Sequence, residues 1–230
     1  MGLFVLVPAA GRGERLAAGR PKQYLPLAGR PMLWHVLRAL CVPAVDQVFV
    51  VLAPNDEEYA RNDWSEFGAR VQPLYCGGAT RSESVRNGLV AASSAVLPDD
   101  WVLVHDAARP CLCTADLERL IAACAADRVG GLLAVPVCDT VKRAAEDESG
   151  LLRALGTEER ASLWLAQTPQ MFRAGLLVHA LARAGHGATD EASAVEALGL
   201  RPRLVAGARA NLKVTFPEDV ALAEAILAAR

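Results

Sequence analysis

The sequence predicts an α/β fold: a Rossmann-like, doubly wound, mostly parallel sheet with an inserted β-arm. Three observations predict it. Short apolar runs rich in Val and Leu alternate with segments of helical spacing, the order expected of parallel strands joined through helices. Those runs are nearly continuous in apolar residues, as strands covered on both faces are. One stretch, Val137 to Met171, breaks the alternation and is too long for an ordinary connection. With 230 residues and no repeat, low-complexity tract or charge block, the chain is expected to form one domain over 1–230, with the arm at about 137–157.

Taken in order, Leu3 to Val7 is the first buried run, and it stops at Pro8 before a glycine loop. Met32 to Leu40 has helical spacing, and Val48 to Leu52 is the second run. Thr80-x-x-Glu83 reads as a capping box opening a helix over Ser82 to Ala92. Trp101 to Val104 is the third run. The helical segment Leu117 to Ala126 follows, with Thr114 as its cap and Asp116 in its first turn. After the fourth run, Leu132 to Val135, the stretch VCDTVKR alternates polar and apolar residues, EDESG turns, and LLRAL returns. That is the pattern of a β-hairpin, and a protruding arm packed on a partner subunit accounts for its length. Thr189 is expected to cap a helix with Asp190 and Glu191 in its first turn. Thr215-x-x-Glu218 is expected to open the last helix, with Asp116 and Glu218 read as capping acids.

A formal net charge of −2 offers no basic face to nucleic acid and no polybasic patch to a membrane. No stretch approaches transmembrane length, and the start lacks the charged region of a signal peptide, so a cytoplasmic protein is expected. The six cysteines lie mainly in apolar surroundings and are read as buried free thiols of a reducing compartment. Cys111-x-Cys113 has no second pair to complete a zinc site, and the four histidines show no metal spacing, so they are read as structural or solvated.

The strongest local signal is VPAAGRGERLAAGRPKQYLPLAGRPML, residues 7–33. Small residues at Ala9, Ala10, Gly11 and Gly13 let backbone N–H groups approach an anion, which makes the loop a phosphate cradle. It is not a dinucleotide fingerprint, because Leu16 stands where a third small residue is needed and the next strand ends too late to supply the ribose-binding acid. Nor is it a Walker loop, because Lys22 lies between Pro21 and Gln23 with no hydroxyl placed for a metal. What remains is a cradle followed by two cations, Arg15 and Lys22, which suit charge developing at a phosphorus centre. Arg12, inside the cradle, either adds a phosphate contact or points to solvent.

These residues resemble the signature of nucleotidyltransferases that join an NTP to a sugar phosphate. The fuller set resembles the 2-C-methyl-D-erythritol 4-phosphate cytidylyltransferase family of the non-mevalonate isoprenoid pathway. GGATRSESVRNGL at 77–89, VHDAARP at 104–110, DTVKR at 139–143, TPQMF at 168–172, TDEASAVE at 189–196 and NLKVTFPEDVALAE at 211–224 carry the resemblance along nearly the whole chain.

Asp106 ends a buried strand, where open α/β sheets bind ligands, and a carboxylate beside a triphosphate suggests Mg²⁺. The family resemblance assigns Asp106 to the metal as well. It implies that Gly78 and Ser84 read cytosine and that Arg81 lies near the nucleotide. The family often has a polar residue where Ala79 stands, which leaves only backbone for contacts there. It implies further that Thr140, Arg160 and Lys213 hold the acceptor's phosphate, with Arg109 and Thr189 nearby, and that a homodimer forms through the arm. The expected reaction is condensation of CTP with 2-C-methyl-D-erythritol 4-phosphate, with Lys22 and Arg15 as the catalytic cations. Three rivals stand beside it. A cytidylyltransferase for ribitol 5-phosphate or another polyol phosphate would share the loop, Asp106 and the arm. A regulatory nucleotide-binding module would not need both cations, and an NAD-dependent oxidoreductase would need the missing acid.

Overall fold

The computed structural model describes residues 1–11 and 20–230. In chain order the strands are β1 (Leu3–Pro8), β2 (Pro26–Leu27), β3 (Arg30–Pro31), β4 (Gln47–Val51), β5 (Val71–Leu74), β6 (Trp101–Val104), β7 (Gly130–Pro136), β8 (Val141–Glu146), β9 (Leu152–Glu158), β10 (Trp164–Arg173) and β11 (Arg203–Ala206). The α-helices are α1 (Met32–Leu40), α2 (Arg81–Ala91), α3 (Thr114–Ala125), α4 (Ala174–Ala184), α5 (Glu191–Glu196) and α6 (Pro217–Ala228). The main sheet has seven strands in the order β11-β7-β10-β6-β1-β4-β5. Only β10 runs antiparallel to its neighbours, β6 and β7.

The alternation of side chains along β1 divides the core. Val5 and Val7 face a cluster completed by Leu33 and Leu37 of α1 and Leu117 and Leu120 of α3. Leu6 faces the other side, with Val85 and Leu89 of α2, Leu177 of α4 and Val195 of α5. Burying each such Leu or Val stabilises the fold by about 1.5–3 kcal/mol. Helix α2 lies very close to the sheet. A Cβ at Gly88 would stand 2.5 Å from Val51 Cγ2 and 2.9 Å from Leu6 Cδ1, so any side chain there would push the helix away. A third cluster, with Leu27, Ala108, Val214 and Ala223, anchors α6 beside the loop that follows β6.

The expected runs and helices all form, but several ends differ. Asp190, not Thr189, caps α5, accepting from Ser193 N–H at 2.8 Å. Helix α6 starts after Phe216, and Asp219, not Glu218, accepts the N–H groups of Thr215 and Phe216 at 2.8 Å each. Cys113 holds the cap position of α3, ahead of Thr114. Asp116 is buried and braces a distant segment, accepting from Ala208 N–H at 2.8 Å and Arg119 Nη1 at 2.7 Å. A carboxylate can serve long-range donors as readily as its own helix, and spacing alone does not distinguish the two. Among the cysteines only Cys111 and Cys124 are buried; Cys138 is exposed.

The hairpin of β8 and β9 forms its own two-stranded sheet and reaches Glu158, slightly past the expected end. It grows directly out of the main sheet. Trp164 of β10 pairs with Pro136 of β7, and Val137 N–H donates to the Leu163 carbonyl at 3.0 Å.

Candidate active site

Strand order reverses at β1, with β4 on one side and β6 on the other. Ligands of open α/β sheets bind outside the carboxyl ends of strands at such a point. A cleft of about 600 Å³ lies there, lined by Ala9, Ala10 and Gly11 after β1, Lys22, Gly78 to Arg81, Ser84, Asp106 after β6, and Lys213. Residues far apart in sequence therefore meet as the motifs required.

The described part of the loop is fixed from below. Ala9 N–H donates to the Val51 carbonyl at 2.8 Å, and the buried Gln23 amide donates to the Ala9 carbonyl at 2.6 Å. A Cβ on Gly77 would lie 2.3 Å from Ala10 Cβ, so glycine is what lets the 77–78 turn close against the loop. Lys22 opens a single 3₁₀ turn, Lys22–Tyr24, and lines the cleft. Gly13 and Arg15 lie outside the described residues.

Asp106 is the electrostatic centre. Arg81 Nε donates to Oδ1 at 2.8 Å and Lys213 Nζ lies 2.8 Å from Oδ2. Burial opposes its charge, but Arg81 and Lys213 hold the carboxyl well below the usual range. Arg81 turns its other two nitrogens to Glu191, donating to its two oxygens at 2.7 and 3.0 Å. Glu191 is fully buried, and burial raises its carboxyl while the guanidinium opposes the rise. Glu191, Arg81, Asp106 and Lys213 thus form an alternating chain of charges across the cleft.

Beneath it lies a directional hydrogen-bond relay. Asp106 N–H donates to Thr168 Oγ1 at 3.0 Å. Thr168 Oγ1 lies 3.1 Å from His105 Nδ1, and His105 Nε2 lies 3.1 Å from the Arg109 carbonyl. A carbonyl only accepts, so Nε2 carries the imidazole hydrogen, Nδ1 accepts, and the threonine hydroxyl donates to it. Burial pushes the His105 pKa down to about 4, so the ring is neutral near neutral pH.

The other expected site residues divide into two sets. Ser84 Oγ accepts from Gly78 N–H at 3.0 Å and donates to the Thr80 carbonyl at 2.9 Å, so it shapes the turn that lines the cleft. Arg109 is mostly buried and donates from Nη1 to the Asn211 carbonyl at 2.7 Å. Its Nε stands 3.8 Å from Asp106 Oδ2. Thr140, Arg160 and Thr189 are exposed and do not line the cleft of their own chain. Arg160 contacts the Cys138 carbonyl at the base of the arm.

A family model for 2-C-methyl-D-erythritol 4-phosphate cytidylyltransferase matches residues 3–229. The chain belongs to that family. The protein of that name from Dechloromonas aromatica (strain RCB) is 56% identical over 228 residues, covering 99% of this chain and 98% of its own. That of Laribacter hongkongensis (strain HLHK9) is 57% identical over 226 residues, covering 97% and 95%. A crystal structure of a 4-diphosphocytidyl-2C-methyl-D-erythritol synthase aligns with a TM-score of 0.84 at 41% identity, covering 98% of this chain and 99% of that one. The cytidylyltransferase of Thermus thermophilus aligns with a TM-score of 0.78 at 36% identity over the whole of both chains.

Within this family member, motif spacing located the cleft but not its supports. The sequence alone assigns no role to Gln23 and Thr168, and it reads His105 as structural or solvated and Glu191 as a first-turn acid of its helix. Each sits inside or beside a motif, and the available signal was a polar residue placed where the pattern calls for burial.

Proposed function

We propose that the cleft transfers the cytidylyl group of CTP to 2-C-methyl-D-erythritol 4-phosphate, giving 4-diphosphocytidyl-2-C-methyl-D-erythritol and pyrophosphate. Family membership over essentially the whole chain supports the reaction. The observation that carries the site is Asp106, held between Arg81 and Lys213 across from the glycine loop. An acceptor phosphate oxygen attacks the α-phosphorus of CTP, a P–O bond forms, and the bond to the β-phosphate oxygen breaks as pyrophosphate leaves. A phosphate dianion is already a nucleophile near neutral pH, so no general base is needed, and His105, buried and hydrogen-bonded on both nitrogens, is not placed to be one. Lys22 and Arg15 stabilise charge gathering on the phosphoryl oxygens. Ala9, Ala10, Gly11 and Gly13 cradle the triphosphate, while Gly78, Arg81 and Ser84 shape the nucleotide side. Lys213, Arg109 and Thr189, with Thr140 and Arg160, take the acceptor.

The residues fit a Mg²⁺ requirement of a particular kind. Among the described residues no group of three or more His, Cys, Asp or Glu side chains is arranged to hold a metal. Among the described residues that line the cleft, Asp106 alone offers a carboxylate, and each of its oxygens keeps a lone pair beside its cation. Such a donor set suits Mg²⁺ held chiefly by phosphate oxygens, where it would supply charge neutralisation for the leaving pyrophosphate.

The arm supports a homodimer. Leu151, Leu152 and Leu155 are 55, 74 and 66% exposed, and a lone hairpin is marginally stable in water. Packed on a second copy, it would bury them and carry Thr140 and Arg160 toward the partner's cleft. No helix among the described residues is long and apolar enough to cross a membrane, and free cysteines suit a cytoplasmic setting.

Pyrophosphate release, measured with each NTP against methylerythritol phosphate and ribitol 5-phosphate, tests the reading. CTP with methylerythritol phosphate should give by far the highest kcat/KM. A higher value with ribitol 5-phosphate, or no release with either, refutes it.

A further inference from the structure

We infer that Glu83 is a positioning residue that sets base specificity: its carboxylate takes up the Ala79 N–H, so the turn before α2 meets the base with acceptors. This assignment rests on the cytidylyl-transfer reading of the cleft and says how the cleft tells CTP from UTP. Gly78, Ala79 and Thr80 line the cleft with backbone and small uncharged side chains. Each backbone N–H from 77 to 79 is already spent within the chain. Gly77 N–H donates to the Leu52 carbonyl at 2.8 Å, Gly78 N–H to Ser84 Oγ at 3.0 Å, and Ala79 N–H to Glu83 Oε2 at 2.8 Å. An N–H has one hydrogen to give, whereas a carbonyl oxygen has two lone pairs. What Gly78 and Ala79 keep for a ligand is therefore acceptor capacity.

The first turn of a helix ordinarily attracts an anion, and at α2 the chain supplies its own. Thr80 Oγ1 accepts from Glu83 N–H at 3.1 Å, and the Glu83 side chain folds back past this cap. A capping-box acid ordinarily returns to the N–H of the cap residue itself. Glu83 reaches one residue further, to a donor in the cleft wall. Gly78 makes room for it, since a Cβ there would stand 2.4 Å from Glu83 Cγ. With a carboxylate fixed at this end, the triphosphate belongs with the glycine loop and the cations Lys22 and Lys213, and the base falls to the turn. At position 4 cytosine carries an amino group, a donor, whereas uracil carries an oxygen, an acceptor. A turn of acceptors pairs with the first and repels the second, a mismatch that costs the wrong base about 10- to 100-fold. Removing the Glu83 carboxylate frees the Ala79 N–H, a donor suited to the uracil oxygen.

The test is kcat/KM with CTP and with UTP, at saturating methylerythritol phosphate, for the full chain as wild type, Glu83→Ala and Glu83→Gln. Glu83→Gln keeps an oxygen that accepts from the Ala79 N–H. The CTP-to-UTP ratio should fall about 10-fold or more in Glu83→Ala and stay within about 3-fold of wild type in Glu83→Gln. A helix cap and nothing more would slow both nucleotides alike. A ratio that falls less than about 3-fold in Glu83→Ala, or a Glu83→Gln ratio as low as that of Glu83→Ala, therefore overturns the assignment. If Glu83→Ala does not fold, the wild-type chain decides with the triphosphate of the 2-pyrimidinone nucleoside, which carries only hydrogen at position 4. Its kcat/KM should lie between those of CTP and UTP, and a value outside that range overturns the assignment. Failure of wild type to turn over CTP counts against cytidylyl transfer itself. Equilibrium affinities for the three nucleotides, expected in the same order, then judge the turn.

Discussion

Replacing Arg81 by Ala removes a guanidinium that serves two carboxylates, and the larger consequence falls on Glu191. That side chain is fully buried and receives two hydrogen bonds from Arg81, at 2.7 and 3.0 Å. Left ionised and unpaired it would cost about 3–5 kcal/mol. Its escape is to take up a proton, and that sets the ceiling. With an unfolded-state value near 4.3, holding Glu191 protonated at pH 7 costs roughly 3.5 kcal/mol, at about 1.4 kcal/mol per unit. The sign follows. In the variant the folded-state pKa lies above the unfolded one, so the penalty shrinks as pH falls, to about 1 kcal/mol at pH 5. Asp106 does not confuse the comparison, since its depressed pKa places its own loss of stability at lower pH, and it keeps Lys213. Urea denaturation of wild type and Arg81→Ala at pH 7 and pH 5 measures both numbers. At pH 7 the corresponding drop in Tm should be roughly 7–14 °C. Adding Glu191→Gln should remove most of the pH dependence. A gap below about 1 kcal/mol at pH 7, or one equal at both pH values, refutes the argument that Glu191 depends on Arg81 for its charge.

Three further outcomes are expected. Lys22→Ala should fold normally and lower kcat by about 10²- to 10³-fold, as removal of one transition-state donor does; near-normal turnover removes Lys22 from the catalytic step. Lys22→Ala and Arg160→Ala chains, each inactive alone, should regain about a quarter of wild-type activity when co-expressed, because half of randomly paired dimers are mixed and each holds one intact site. Background activity in a verified mixed dimer refutes the shared site. His105, with its pKa near 4 against an ordinary 6.5, makes the unfolded chain the first to bind a proton on acidification. Stability should therefore be full above about pH 6.5 and fall by roughly 3 kcal/mol toward pH 4, and an NMR titration of His105 with a midpoint near 6.5 would exclude this.

The sheet was legible because its signal is local and redundant. Continuous Val and Leu in β1, β4, β6 and β7 leave a strand few alternatives, and α1 forms over the very residues its spacing marks. The antiparallel course of β10 and its place between β6 and β7 were not legible, since TPQMF reads the same in either direction of pairing. The cleft was legible as a set of motifs whose chemistry demands neighbours: a cradle, a cation and an acid at a strand's end. Its supports were not. Asp116 and Glu191 both lie in first turns, where an acid serves the helix dipole equally well. Only the fold reveals that one braces Ala208 and the other faces Arg81. Ser84 and Arg109 were expected to face ligand, but much of their hydrogen-bonding capacity is spent on backbone, a partnership that leaves no mark in the spacing.

The arm's root in the ladder of β7 and β10 bears on how the chain folds. Strands so far apart in sequence pair slowly, because loop entropy is lost before any contact forms. Here β8 and β9 join across the short turn near Gly150, and zipping that hairpin downward brings Pro136 beside Trp164. The β7–β10 pairing then begins with its loop already closed. A protrusion that contributes little to the core of its own chain would thereby shorten the search by which the centre of the sheet is assembled, the ladder running on past its register shift to the pair Phe172 and Gly130.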